Sequence, residues 1–212
     1  MSKENKLFLY SLSLSSQHYK ALIKLTGKPV NEIRIGLIEN AADIIPGSES
    51  WLGGIRESIS DQGFDLEVID LRQWKDGQDG LYDILKEKDV IWVGGGHTYY
   101  LRWILRESGA DKIIKALVHQ GMVYAGWSAG AVVAGPSIKF FDAMGDDPKD
   151  APALIEEGLG LCSFIVVPHI NHPDFMAGAK NTSQNLKGEG YIVYELKDDQ
   201  SIIWQNHRQN IL

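Results

Sequence analysis

An α/β fold, with a mostly parallel sheet sandwiched by helices, is predicted by three features of the chain. Short apolar, β-branched runs recur along it, amphipathic stretches separate them, and the runs are apolar nearly throughout instead of alternating with polar residues. The runs span residues 7–10, 33–38, 66–69, 90–93, 123–126, 164–167, 191–194 and 202–204. Among the helical stretches, 111–120 carries Ile113, Ile114, Leu117 and Val118 on one stripe and stops at Gly121, and a second helix is expected over 99–107. The last two strand runs flank the polar turn Lys197-Asp198-Asp199-Gln200, so the sheet is expected to end in an antiparallel C-terminal hairpin. In open sheets of this kind ligands bind at the carboxyl ends of the strands, which directs the search for chemistry to the loops there.

The 212 residues suit one domain, 1–212, with a composition (44% hydrophobic, 23% charged) typical of globular chains. Twenty-one Lys and Arg against 28 Asp and Glu leave a net charge of −7 without a basic run, which argues against nucleic acid as a partner. Cys162 is the only cysteine, so neither an internal disulfide nor a multi-cysteine metal site can form. No 18-residue apolar segment and no signal-like start are present, and a cytoplasmic, non-membrane protein is expected.

The segment 123–135 reads as a strand entering a helix through Gly126-Trp127-Ser128-Ala129-Gly130, a Gly-x-Ser-x-Gly nucleophile elbow. The sharp turn lifts the serine hydroxyl to a helix N-terminus, where free backbone N–H groups can hold a developing oxyanion. Ser128 is therefore the candidate nucleophile, although small residues in this pattern can also serve only close helix packing.

A serine hydroxyl needs an adjacent base, and a histidine oriented by a carboxylate is the common solution. His169 follows the run 164–167 and Pro168, just past a strand end, and is the candidate base, with His172 as an alternative. Sought between nucleophile and base, the acid is expected at Asp142, which follows an apolar stretch. Asp146, Asp147 and Asp150 lie in a more solvated charge run.

A glycine cluster, Gly94-Gly95-Gly96, ends the run 90–93 and precedes His97-Thr98. It lacks both a dinucleotide fingerprint and the Lys-Ser/Thr of a phosphate loop, so an amide of Gly95 or Gly96 is better read as a second oxyanion donor beside Ala129. The interval of 41 residues from Ser128 to His169 is too short for an α/β-hydrolase.

Taken in order, Gly94 to Thr98, Tyr124 to Ala131, Gly158-Leu-Gly-Leu161 and Pro168-His169 resemble the S51 serine peptidases, a family that includes aspartyl dipeptidases and cyanophycinases. The resemblance implies a fold similar to class I glutamine amidotransferases, Ser128 as nucleophile, His169 as base, and Gly95 and Ala129 as oxyanion hole. It offers two acids: Asp142 by the dipeptidase pattern counted from Asp147-Pro148, and Asp146 by a cyanophycinase-like spacing. His97 stands where the family usually has asparagine, and with Trp127 it is a candidate substrate-binding residue.

The resemblance implies hydrolysis of short peptides, among them N-terminal aspartyl dipeptides, whose carboxylate would call for Arg102, Arg106 or Lys139 near the site. Neither a cofactor nor a metal is expected, since His169, His172 and Asp174 sit in too short a loop to converge on an ion. Another acyl hydrolase (esterase or amidase) using the same residues, or an inactive small-molecule-binding homologue, are the alternatives.

Overall fold

The computed structural model describes residues 5–205 and 208–212; His207 lies outside them. Strands β1 (Lys6–Tyr10), β2 (Arg34–Ile38), β3 (Asp65–Val68), β4 (Val90–Val93) and β5 (Val123–Trp127) form the parallel part of a seven-stranded sheet in the order β3-β2-β4-β5-β1. The central strands β4 and β5 are buried along their whole length, so both their faces are covered. Leu7, Leu9, Ile91, Val93 and Tyr124 point to one face, while Phe8, Tyr10, Trp92 and Ala125 point to the other. This period of two makes one strand serve two cores.

Helices α1 (Ser16–Thr26) and α2 (Glu49–Ser60) cover the Phe8 and Trp92 face with Tyr19, Leu22, Leu25 and Ile59. Helices α3 (Leu81–Leu85), α4 (Thr98–Glu107), α5 (Ala110–His119) and α6 (Ala129–Val133) cover the opposite face. The apolar stripe foreseen over 111–120 supplies Ile114, Leu117 and Val118 to that core.

The C-terminal third differs from the expectation in its pairing. Strand β6 (Phe164–Val167) leads through helix α7 (Met176–Gly188) to β7 (Ile192–Glu195), and the two strands pair in parallel as a separate two-stranded sheet. A helix between them is the connection that parallel neighbours require. Strand β8 (Ser201–Gln205) leaves β7 and joins the main sheet antiparallel to β1, and β9 (Arg208–Ile211) completes an antiparallel hairpin with β8. The hairpin at the C-terminus is thus β8–β9, and the turn 197–200 crosses from one sheet to the other. Ile202, fully buried against β1, explains why β8 leaves β7.

Main chain packs closely where β5 enters α6. A methyl group on Gly130 would stand 2.1 Å from the Val93 carbonyl oxygen, and one on Gly126 would stand 2.5 Å from that of Gly130. The Tyr124 hydroxyl donates to the same Gly130 carbonyl at 2.7 Å, so helix α6 is held by its first turn. Gly130→Ala should therefore lower stability by about 2 kcal/mol or more, since backbone must move to admit it. Gly53→Ala on the open face of α2, where a methyl meets nothing within 4 Å, should raise it by roughly 0.5–1 kcal/mol. Thermal unfolding of the two variants reads both signs; equal stability of Gly130→Ala and the parent chain would contradict this packing.

Candidate active site

The carboxyl ends of five parallel strands converge on one locus. Gly95 follows β4, Ser128 follows β5, Ser11 follows β1, His169 lies two residues beyond β6, and Asp198 three beyond β7. Ser128 adopts φ 49° and ψ −113°, the strained bend of an elbow, with its amide bonded to the Tyr10 carbonyl at 3.1 Å. Its own carbonyl accepts from Ala131 and Val132 at 2.9 and 3.0 Å, which ties the bend to the start of α6. Such a conformation in a non-glycine residue costs about 1–3 kcal/mol and persists only where the surroundings fix it.

The Ser128 hydroxyl lies 2.8 Å from His169 Nε2, and His169 Nδ1 lies 2.8 Å from Asp198 Oδ1. Asp198 accepts from Nδ1–H, which leaves the Nε2 lone pair facing the serine hydroxyl. His169 is itself in the left-handed region, at φ 62°, and its amide donates to the buried Ser11 hydroxyl at 2.8 Å. Asp198 is fixed from both sides: its amide donates to Asn171 Oδ1 at 2.8 Å, and its carbonyl accepts from the amides of Leu12 and Ser13.

The acid on the imidazole is therefore Asp198, not Asp142 or Asp146. Asp142 instead meets the Tyr99 hydroxyl, which accepts from its amide at 3.2 Å, and it borders a different surface hollow. Asp146 accepts from the Thr98 amide at 2.8 Å, which places it at the N-terminus of α4. Asp150 lies 3.5 Å from His97 Nε2, and Asp147 caps the short turn Pro148–Asp150 by accepting from the Lys149 amide. The acid lies outside the interval between Ser128 and His169 because β7, the parallel neighbour of β6, brings Asp198 beside the imidazole. The signal in the sequence is the acidic pair Asp198-Asp199 just past the strand run 191–194.

The other sequence candidates separate clearly. Gly95 lies against the nucleophile, since a methyl on it would come within 3.0 Å of Ser128 Cβ. Among the described residues, neither the Gly95 nor the Ala129 amide donates to a protein acceptor. Trp127, buried, and His97, buried as the cap of α4 with Nδ1 accepting from the Tyr100 amide, both line the cavity above Ser128. Arg102 is buried but bonds to the Glu157 carbonyl and to Asp111, Arg106 also reaches Asp111, and Lys139 reaches Glu189. None of these three lines the cavity. His172 lies beside His169 with ring centroids 6.0 Å apart and accepts from the Asp174 amide, while both nitrogens of His169 are already engaged.

The buried position of His169 disfavours its imidazolium and lowers its pKa below the ordinary 6.5; the Asp198 hydrogen bond and charge oppose this, and His172 adds to it. The Cys162 thiol is pushed up to about 12 by burial, which leaves it unsuited as a nucleophile. The cavity over Ser128 and His169 measures about 670 Å³, within the range of small-ligand sites. Among the described residues no helix is long and apolar enough to cross a membrane.

A model of peptidase family S51 matches residues 15–212. The chain belongs to peptidase family S51. Over 111 residues it is 37% identical to an uncharacterized peptidase of Listeria innocua, a match covering 52% of this chain and 53% of that one. Over 171 residues it is 31% identical to a peptidase E of Streptomyces coelicolor, covering 78% of this chain and 65% of that one. The chain thus spans about half the length of the first relative. A solved structure of a peptidase E candidate from Listeria monocytogenes superposes with a TM-score of 0.78 at 25% identity, over 100% of this chain and 98% of the other. The S51 chain therefore has a peptidase E-type fold.

Two outcomes follow for labelling of Ser128 by a fluorophosphonate. The imidazole must be neutral to accept the serine proton, and burial lowers its pKa, so the labelling rate should fall only below pH 6.5, with a midpoint under that value. A midpoint above 7 would contradict the dominance of burial. Asp198→Asn should slow labelling roughly 100- to 10,000-fold by presenting the wrong tautomer, and Asp142→Asn only a few-fold. The reverse order would remove Asp198 from the site.

Proposed function

We propose that this S51 family member is a serine peptidase that hydrolyses short peptides through Ser128, His169 and Asp198. The observation that carries the reading is the unbroken chain of two 2.8 Å contacts from hydroxyl to imidazole to carboxylate, beginning at a strained elbow. His169 takes the Ser128 proton as Oγ attacks the peptide carbonyl, and a tetrahedral oxyanion forms. The Gly95 and Ala129 amides, without acceptors among the described residues and adjoining Ser128, receive that oxyanion; one such donor is typically worth about 3 kcal/mol of barrier. His169 then returns the proton to the leaving amine, and the same base activates the water that hydrolyses the acyl-enzyme. Asp198 keeps Nδ1 protonated and stabilises the transient imidazolium without itself taking the proton.

The same machinery can open an ester, but the family assignment favours peptides. Ser128→Ala should reduce turnover of a dipeptide panel by about 1,000-fold or more with an unchanged thermal transition. Undiminished turnover would remove Ser128 from the mechanism. Efficient cleavage of simple acyl esters with no dipeptide cleaved would replace the peptidase reading by an esterase one.

A further inference from the structure

The two sides of the cavity differ in chemistry. The leaving amine must reach His169 Nε2, so it lies on the side of Pro168 and Phe175, whose ring stands 5.2 Å from the imidazole. The acyl residue is directed to the opposite side, where Gly95 adjoins Trp127. A methyl on Gly95 would lie 3.1 Å from the indole, and Trp51 meets Trp127 edge-on with centroids 5.5 Å apart. Ile55 packs in the same apolar cluster, and Ile45 and Leu12 also line the cavity. No lysine or arginine stands among the described lining residues. Arg56, on the same helix as Trp51 and Ile55, is turned away to Glu39 at 2.6 Å. An acidic side chain would therefore leave water for an apolar wall without a counter-charge, whereas a large apolar side chain would bury itself there.

Among the described lining residues the carboxylate is Asp146. Its Oδ2 is held by the Thr98 amide, so the group is fixed by backbone at the mouth of α4. It supplies the charge complementary to a substrate ammonium. One further lining group, Trp127 Nε1, is buried without a hydrogen-bond partner among the described residues, whereas His97 Nε2 faces Asp150 at 3.5 Å. A carbonyl oxygen of a peptide is an acceptor of the kind the Trp127 indole N–H lacks.

From these observations we infer that the cavity selects short peptides with a free amino terminus and a large apolar residue supplying the scissile carbonyl, Trp51 and Trp127 receiving the side chain and Asp146 the ammonium. The inference rests on the peptidase reading and gives it a substrate class.

The test is kcat/KM for Phe-Ala, Leu-Ala, Asp-Ala and N-acetyl-Phe-Ala, with fluorophosphonate labelling of Ser128 run in parallel and folding checked by thermal unfolding. The parent enzyme should prefer Phe-Ala and Leu-Ala to Asp-Ala by about 100-fold, and free to acetylated Phe-Ala by about 10-fold. Trp51→Ala should reduce the first ratio below about 10, and Asp146→Asn, which keeps an oxygen for the Thr98 amide, should bring the second near one. Asp-Ala cleaved as well as Phe-Ala, or either ratio unmoved by its substitution, overturns the assignment while the peptidase reading stands. Labelled Ser128 with no peptide cleaved also overturns it. Failure of both labelling and cleavage takes down the peptidase reading with it.

Discussion

The backbone at Ser128 must occupy a conformation that side chains disfavour, and the rest of the site is arranged around the cost of holding it there. Strand β5 can turn into α6 within one residue because Gly126 and Gly130 leave room for main chain at van der Waals contact. The amide and carbonyl of Ser128 are then bonded to Tyr10 and to the first turn of α6, and the buried Tyr124 hydroxyl holds Gly130. With the backbone fixed from three directions, the hydroxyl has a defined position before any substrate arrives. Preorganisation of this kind is the main source of electrostatic rate enhancement in enzyme sites.

The same logic extends to the base. His169 also occupies the left-handed region, and the bond from its amide to Ser11 anchors it to the end of β1, a strand of the main sheet. Asp198 is anchored to the same loop through the Leu12 and Ser13 amides. Ser11 thus joins the separate β6–β7 sheet to the seven-stranded one beside the Ser128–His169 contact. Burial and the carboxylate act on the imidazole in opposite senses, and burial prevails. The result is an imidazole whose neutral form is favoured by burial yet whose charged form has a partner in Asp198.

Much of this was legible in the sequence. The β-branched runs with intervening amphipathic helices gave the parallel sheet, and the order of a glycine loop, an elbow and a Pro-His step brought Gly95, Ser128, Ala129 and His169 forward as candidates. What could not be read was pairing between distant segments. The runs 191–194 and 202–204 flank a short polar turn and look like a local hairpin, but α7 makes β7 a parallel partner of β6, and the buried face of Ile202 takes β8 to β1. That change of sheet carries Asp198 across the site. Local turn chemistry cannot distinguish a hairpin turn from a crossing between sheets, so the acid was sought where chain order, not topology, suggested it. Similarly, Arg102 on an amphipathic helix gave no sign that it would be buried against Asp111.

The account stands or falls on the Ser128 hydroxyl, the His169 imidazole and the two glycine-loop and elbow amides acting on one tetrahedral centre. The most direct measurement is a crystal structure of the chain after reaction with a small alkyl fluorophosphonate. The expected result is a phosphorus–oxygen bond at Ser128 Oγ, with the phosphonyl oxygen about 2.7–3.1 Å from the Gly95 and Ala129 amide nitrogens and His169 still bonded to Asp198. An adduct on another residue, or a phosphonyl oxygen turned away from both amides, would contradict it.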